Sequence, residues 1–366
     1  MLKKGILSAA LYWVFVFPCF ANKQMIAMPI QDKLQEARDY LSVLPERSLA
    51  ILSNKEHLLR ISNHEILADW YDAKMIASIR VADLDQIQDA LIHLSKLQNT
   101  DFSKTNRTTW LNGLGIWMRK SGFLLDAKIS YLCSANNNST EVGKVIPIMN
   151  LAIVELRLGN TQTARILYEL ALGIAEKHEL ASVFAIVENG LGNISLIEKK
   201  YPQAQVHFSE ALKLNEKLQR RSGEVLSGEN LLLSFLYQDK LDLFARLSDR
   251  IKRKLKRSQS GSRTAYFAIL KAIYEARIDS TKIAASTDTI SANMTLLKDK
   301  ALRDVLAELI GTYGLAWQAE IPIKNEVQRN SLKTLYPVCN WEKFSDDNYI
   351  SVLISQLAQF QDLKEN

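Results

Sequence analysis

Chain-breakers are scarce in this sequence. It has only 14 glycines and 7 prolines in 366 residues, below the roughly 7% and 5% usual in globular proteins. A sandwich or barrel of short strands needs many tight turns, so the scarcity favours helices with short connections. Cysteine is almost absent, at three residues, and cannot supply a disulfide framework. Beyond residue 21 no apolar run approaches 18 residues, so no later segment reads as a membrane span. Catalytic and metal motifs are missing as well. The five histidines, His57, His64, His93, His178 and His207, have no His or Cys at ligand spacing, and no HExxH, CxxC or GxSxG pattern occurs. Gly190-Leu191-Gly192 falls inside a helical pattern with no strand before it, which excludes a dinucleotide loop. No catalytic residue, metal or cofactor is expected.

What is present is the composition of a folded chain, 47% hydrophobic and 23% charged. The length fits two or three ordinary domains or one repeat array. Residues 1–21 have the layout of a secretory signal: Lys3 and Lys4, an apolar stretch from Gly5 to Phe17, then Pro18 and a small residue, Ala21. That stretch is too short to span a bilayer. The expectation is cleavage before Asn22 and a periplasmic or secreted protein; the alternative is an uncleaved N-terminal anchor. Without residues 1–21, 44 basic and 40 acidic residues leave a net +4, too mild to imply nucleic acid. Cys133 and Cys339 remain in the mature chain and are expected to be buried, unreacted thiols.

Internal periodicity decides the architecture. Leu114-Gly115 is followed by Ala127, Tyr131 and Ser134. Leu151-Ala152 is followed at the same offsets by Ala164, Tyr168 and Ala171, and Leu191-Gly192 by Ala204, Phe208 and Ala211. A looser fourth unit has Leu231-Leu232, Phe244, Ser248 and Ile251. Gly115, Ala152 and Gly192 are small enough for two helices to cross closely. Ala127, Ala164 and Ala204 are their counterparts on the second helix, and the aromatics fill the space between hairpins. Gly159-Asn160 and Tyr201-Pro202 mark turns.

The pattern of a Leu-small pair, a small residue, an aromatic and a small residue resembles the tetratricopeptide repeat family, over about residues 108–260. The family's Trp is not in register here, and its closing Pro is absent. The resemblance implies an all-α, right-handed superhelical solenoid of antiparallel helix hairpins whose first helices line a concave groove. Flanking it, residues 22–107 read as degenerate helical hairpins and residues 261–366 as a C-terminal helical region with a cap. Within these flanks, helical spacing is expected over Gln31–Val43, Pro45–Ser53, Asp83–Leu97, Ala265–Ile278, Ile290–Lys298 and Leu302–Ala319. Arg257–Arg263 reads as a break, and Lys324–Cys339 as an irregular stretch that caps the array.

Asparagine recurs just ahead of each Leu-small pair, at Asn112, Asn150, Asn189 and Asn230, with Asn193 one turn beyond Asn189. Asparagine is a mediocre helix former, so the recurrence asks for a reason. Its amide matches one peptide unit of an extended ligand; bonding between hairpins is the alternative. Arg119, Lys120, Arg157 and Tyr237 are the neighbours expected in such a groove, which would be basic at one end and apolar at the other. A second candidate surface is the basic face Arg250, Arg253, Lys254 and Arg257. It is either a solvated helix end or a contact for an acidic partner or anionic lipid headgroups. The expected function is an exported module that binds a polypeptide or peptide segment, as an adaptor in envelope signalling or assembly. The rivals are a structural assembly factor without a discrete peptide ligand, and a small-molecule sensor or enzyme, which would need a polar pocket. The partner's identity and the oligomeric state are not legible in the sequence.

Overall fold

The computed structural model describes residues 29–256, 261–297, 300–317 and 348–362, with a few isolated positions between the last two stretches. The signal-like segment 1–21, Arg257 and most of Lys324–Cys339 lie outside them. The described residues are helical, without a strand. The N-terminal flank comprises α1 (Ile30–Val43), α2 (Pro45–Leu52), α3 (Lys55–Leu59), α4 (His64–Val81) and α5 (Leu84–Ser95). The first repeat is α6 (Asp101–Lys120) with α7 (Leu124–Asn136), and the second is α8 (Glu141–Arg157) with α9 (Thr161–Lys177). The third is α10 (Ala181–Ile197) with α11 (Tyr201–Lys217), and the fourth is α12 (Arg221–Tyr237) with α13 (Leu241–Leu255). Then come α14 (Gly261–Ile278), α15 (Ile283–Met294), α16 (Lys300–Thr312) and α17 (Asn348–Asp362).

The turns explain why the period is so even. In the repeats the second helix follows the first after three residues, and one residue of each such turn is left-handed: Gly122, Gly159, Lys199 and Asp239. Glu179 and Gln219 do the same between repeats. The following residue then donates its N–H to the carbonyl five positions back, as in Lys200 to Ser195 at 2.8 Å and Arg220 to Asn215 at 2.9 Å. This Schellman closure satisfies the last carbonyls of each helix. Glycine takes the left-handed conformation without cost, whereas Glu179, Lys199, Gln219 and Asp239 do not.

The crossings follow volume. A Cβ on Gly115 would lie 2.5 Å from Tyr131, and one on Gly192 would come inside 3.0 Å of Phe208. These two aromatics are therefore seated within their own hairpins. Tyr168 instead reaches the next first helix, where Gly190 leaves room for its ring. The Gly190-Leu191-Gly192 stretch is thus a notch open on two sides, taking one aromatic from each neighbouring second helix. Ala127, Ala164 and Ala204 are fully buried beside these contacts.

First helices α6, α8, α10, α12 and α14 touch in succession and form the inner row. Three flank expectations shift. The helix expected over Leu302–Ala319 is α16 and ends at Thr312, where the chain turns at the left-handed Gly314. α14 already begins at Gly261, so Arg263 is helical. α15 lies earlier than the expected Ile290–Lys298, because its packed face is Ser286, Ile290 and Met294; a buried serine conceals that face in a hydrophobicity pattern. Helix α17 packs on α9 and α7, and its Ile350, Leu353 and Leu357 join the core of the first two repeats, together with Leu332 and Cys339. Cys133 and Cys339 are both buried.

Candidate functional site

The inner row curves around a cavity of about 640 Å³. Its walls run from Pro45 and Glu46 at the start of α2 to Val305 and Glu308 on α16, so the two flanks meet the same hollow. Asn150, Asn189, Asn193 and Asn230 line it, with Arg119, Lys120, Arg157 and Tyr237. Asn112 is not among its lining residues.

The asparagines are brought together in pairs. Asn150 donates to the Asn112 amide oxygen at 3.0 Å, and Asn230 donates to that of Asn189 at 3.0 Å. Each pair is a rung between successive first helices. A carboxamide carries two N–H donors and an acceptor oxygen, so a rung still leaves bonding capacity facing the hollow. Asn193 differs: it is half-buried at the wall and has no hydrogen-bond partner among the described residues.

Arg119 Nε lies 3.4 Å from the Tyr131 hydroxyl, and Arg157 donates to the Arg119 carbonyl at 3.5 Å. Burial raises the Tyr168 phenol pKa, against the pull of Arg119 and Arg157. Tyr237 stacks on Tyr201 with ring centroids 4.8 Å apart, and burial, then Glu308, push its phenol up. Leu236 beside it is buried, and its carbonyl accepts the Tyr313 hydroxyl.

The cavity is basic at both ends. Arg220, Arg221 and Arg263 bring cations to the fourth-repeat end that was expected to be apolar, while Arg80 and Lys199 add two more. Eight basic and two acidic residues line the hollow. That excess of six equals the formal net charge of the whole chain, +6, so the rest of the molecule is balanced and the hollow is not. Concave walls of one sign concentrate potential and attract the opposite charge. Sequence spacing missed these residues because Lys199 and Arg220 sit in the turns and Arg80 ends a flanking helix. Their periodic position was visible; which side of the solenoid they face was not.

The basic face on α13 is partly neutralised. Arg250 pairs with Glu216 at 3.0 Å, and Lys254 pairs with Glu224. Arg253 is exposed. Behind the cavity wall, the fully buried Glu229 pairs with Arg263 at 2.7 Å, and burial lifts its carboxyl pKa to about 7. His178 and His207 make pairs with Glu141 and Glu188 at 2.9 and 2.8 Å. No cluster of potential metal ligands occurs among the described residues.

No protein-family model matches the chain, and no curated protein matches it. Solved structures do. The chain is similar to the crystal structure of a Rap protein complexed with competence and sporulation factor, at 11% identity and a TM-score of 0.56, covering 90% of this chain and 99% of that one. The apo form of RapI gives 15% identity, a TM-score of 0.48 and coverage of 76% and 99%. The first likeness shows a shared helical-repeat fold.

Proposed function

We infer that the protein binds a polypeptide segment in the hollow of its inner row. The observation that carries this reading is the row of amides lining the hollow, Asn150, Asn189, Asn193 and Asn230, in which Asn193 is unpaired and the others belong to the rungs Asn112–Asn150 and Asn189–Asn230. An extended peptide offers N–H and C=O groups in alternation, which carboxamides can meet in either sense. Ile116, Ile153, Leu156 and Leu233 supply apolar contact between them. A Rap protein of the same fold is complexed with competence and sporulation factor, so the architecture accommodates a bound factor. The signal-like residues 1–21 add that the module works after export, as an adaptor in envelope signalling or assembly. It needs no catalytic group for that role.

Asn193 gives the cleanest test. Asn193→Ala removes no bond within the protein, so the melting temperature should hold while affinity for a partner captured by crosslinking in intact cells falls about five- to 150-fold. Unchanged affinity would remove the amide wall from the binding site. A cavity of this volume also suits a small molecule; retention of a non-peptide ligand by the purified protein, seen in native mass spectra, would favour that rival. Export is tested by intact mass: the protein from its own host should begin at Asn22, and a full-length species in the cytosol would overturn the compartment.

A further inference from the structure

We propose that Cys133 and Cys339 form an oxidant-closed latch that ties the C-terminal helix α17 and the segment before it to the first repeat. Neither cysteine lines the hollow, and the latch is independent of what the hollow binds.

The two residues stand 206 positions apart in the chain. Cys133 lies in α7 and is fully buried, and Cys339 precedes α17 and is 2% exposed. Both belong to the core of the first two repeats. The Cys339 sulfur lies 4.0 Å from the main-chain oxygen of Ile129. In an α-helix that oxygen accepts the N–H four residues on, which here is the N–H of Cys133. Cys339 therefore rests on the turn of α7 that ends in Cys133. A disulfide needs Cα atoms within about 7 Å of each other, and one helical turn rises only about 5.4 Å. The third cysteine, Cys19, falls in the signal-like segment, so cleavage there leaves these two alone. What docks the segment is apolar. Leu332, Phe344, Ile350, Leu353 and Leu357 are buried in the same core, and Phe344 meets Tyr349 edge-on at 4.7 Å. Terminal elements open locally at less cost than a whole array unfolds. Burial puts the thiols under the control of that motion, since solvent reaches Cys339 only when the segment lifts.

The oxidant is a disulfide, R–S–S–R, such as oxidised glutathione or the disulfide of a thiol oxidoreductase in an oxidising compartment. With the segment lifted, the Cys339 thiolate attacks one sulfur of the oxidant. A protein–S–S–R bond forms, the S–S bond of the oxidant breaks, and one RS⁻ leaves and takes up the proton that Cys339 gave. When the segment docks, the Cys133 thiolate attacks the Cys339 sulfur and expels the second RS⁻, which takes the proton of Cys133. In sum the two protein thiols lose two electrons and two protons, and the oxidant becomes two thiols. The stabilisation that a disulfide gives grows with the loop it closes, and this bond closes a loop that takes in most of the array. Once docked, the bond is buried in the core and shielded from exchange. The C-terminal helix is then held on α7 and α9 in an oxidising compartment and released in a reducing one.

The experiment refolds the full-length protein from urea in glutathione buffers that run from reducing to oxidising, so that access to buried thiols does not limit the reaction. Acid quenching, alkylation in denaturant and digestion then let mass spectrometry follow each cysteine. Cys133 and Cys339 should become protected from alkylation together, and one crosslinked peptide should contain both. The oxidised protein should melt about 5–10 °C above the reduced one, and Cys339→Ser should abolish that difference. The crosslink is read on the wild-type chain, so a variant that folds poorly does not decide the matter. Free Cys133 and Cys339 in folded protein from the most oxidising buffer would overturn the latch. So would separate glutathione adducts on the two residues, or a bond from either of them to Cys19. A Cys133–Cys339 bond that leaves the melting temperature unchanged would also overturn it, because the bond would not then hold a docked segment.

Discussion

The third and fourth repeats have first helices of the same length, 17 residues, and the same three-residue turn, yet their interiors are built on opposite principles. In the third, Gly192 makes room for Phe208 and the crossing is apolar. In the fourth, the equivalent positions are exchanged, with Leu232 on the first helix and Ser248 on the second. The notch moves one turn back, to Gly228, which receives Ile251. The fourth repeat also buries charge: Glu224 meets Lys254, and Glu229 meets Arg263. A repeat's period is therefore held by its backbone turn, while summed volume at the crossing can be met by either helix. The polar repeat also touches the cationic wall of the hollow, since its Glu229 pairs with Arg263 of α14, a lining residue.

The sharpest way to break the comparison is to give the third repeat the fourth's residue. Gly192→Leu should cost about 3 kcal/mol, the upper end of overpacking, because Phe208 has nowhere to go. Phe208→Ser alone should cost about as much through the cavity it leaves. If volume exchange is the rule, the double variant loses less than the sum, by denaturant melts in a double-mutant cycle. Strict additivity would show that the two positions do not share one space.

Next in size is the pH response of the fourth repeat. Glu229 titrates near 7 when folded, against 4.5 for an ordinary glutamate. A carboxyl raised on folding contributes stability that is complete below pH 4.5 and lost as pH rises to about 7. Over that window the loss is of the order of 3 kcal/mol. The melting temperature of Glu229→Gln relative to wild type should therefore climb between pH 4.5 and 7 and then level. A constant difference would mean that Glu229 stays ionised throughout.

Smaller effects sharpen the contrast at the inner row. Asn230→Ala breaks the rung to Asn189 and should lower stability by about 1 kcal/mol, whereas Asn193→Ala should leave it unchanged; melts of both variants, side by side, separate rung from unpaired amide. Least of all is Lys199→Gly. Its residue sits at φ 58°, where glycine is unstrained, so the third turn should gain about 0.5–1 kcal/mol. Lys199 also lines the hollow, so a rise in stability should come with weaker binding of acidic peptides.

The sequence alone determined the helical class, the register of four units and the positions of the tight crossings, because glycine, alanine and aromatic side chains meet at fixed offsets wherever two helices cross. Asn150, Asn189, Asn193, Asn230, Arg119 and Arg157 share the inner wall and Asn112 does not line it; a common face is legible from a 3.6-residue period. The sequence could not show that asparagines a whole repeat apart bond to each other, because that depends on how far one hairpin is rotated against the next. Nor could it show the left-handed Glu179, Lys199, Gln219 and Asp239, whose side chains carry no turn signal. Only the tertiary structure decided that α17 returns to α7 and α9. It alone decided that Arg80, far from the repeats in sequence, lines the same hollow as Arg220. Both depend on the curvature accumulated over successive hairpins, a sum of small rotations set by packing at every interface and written in no single residue.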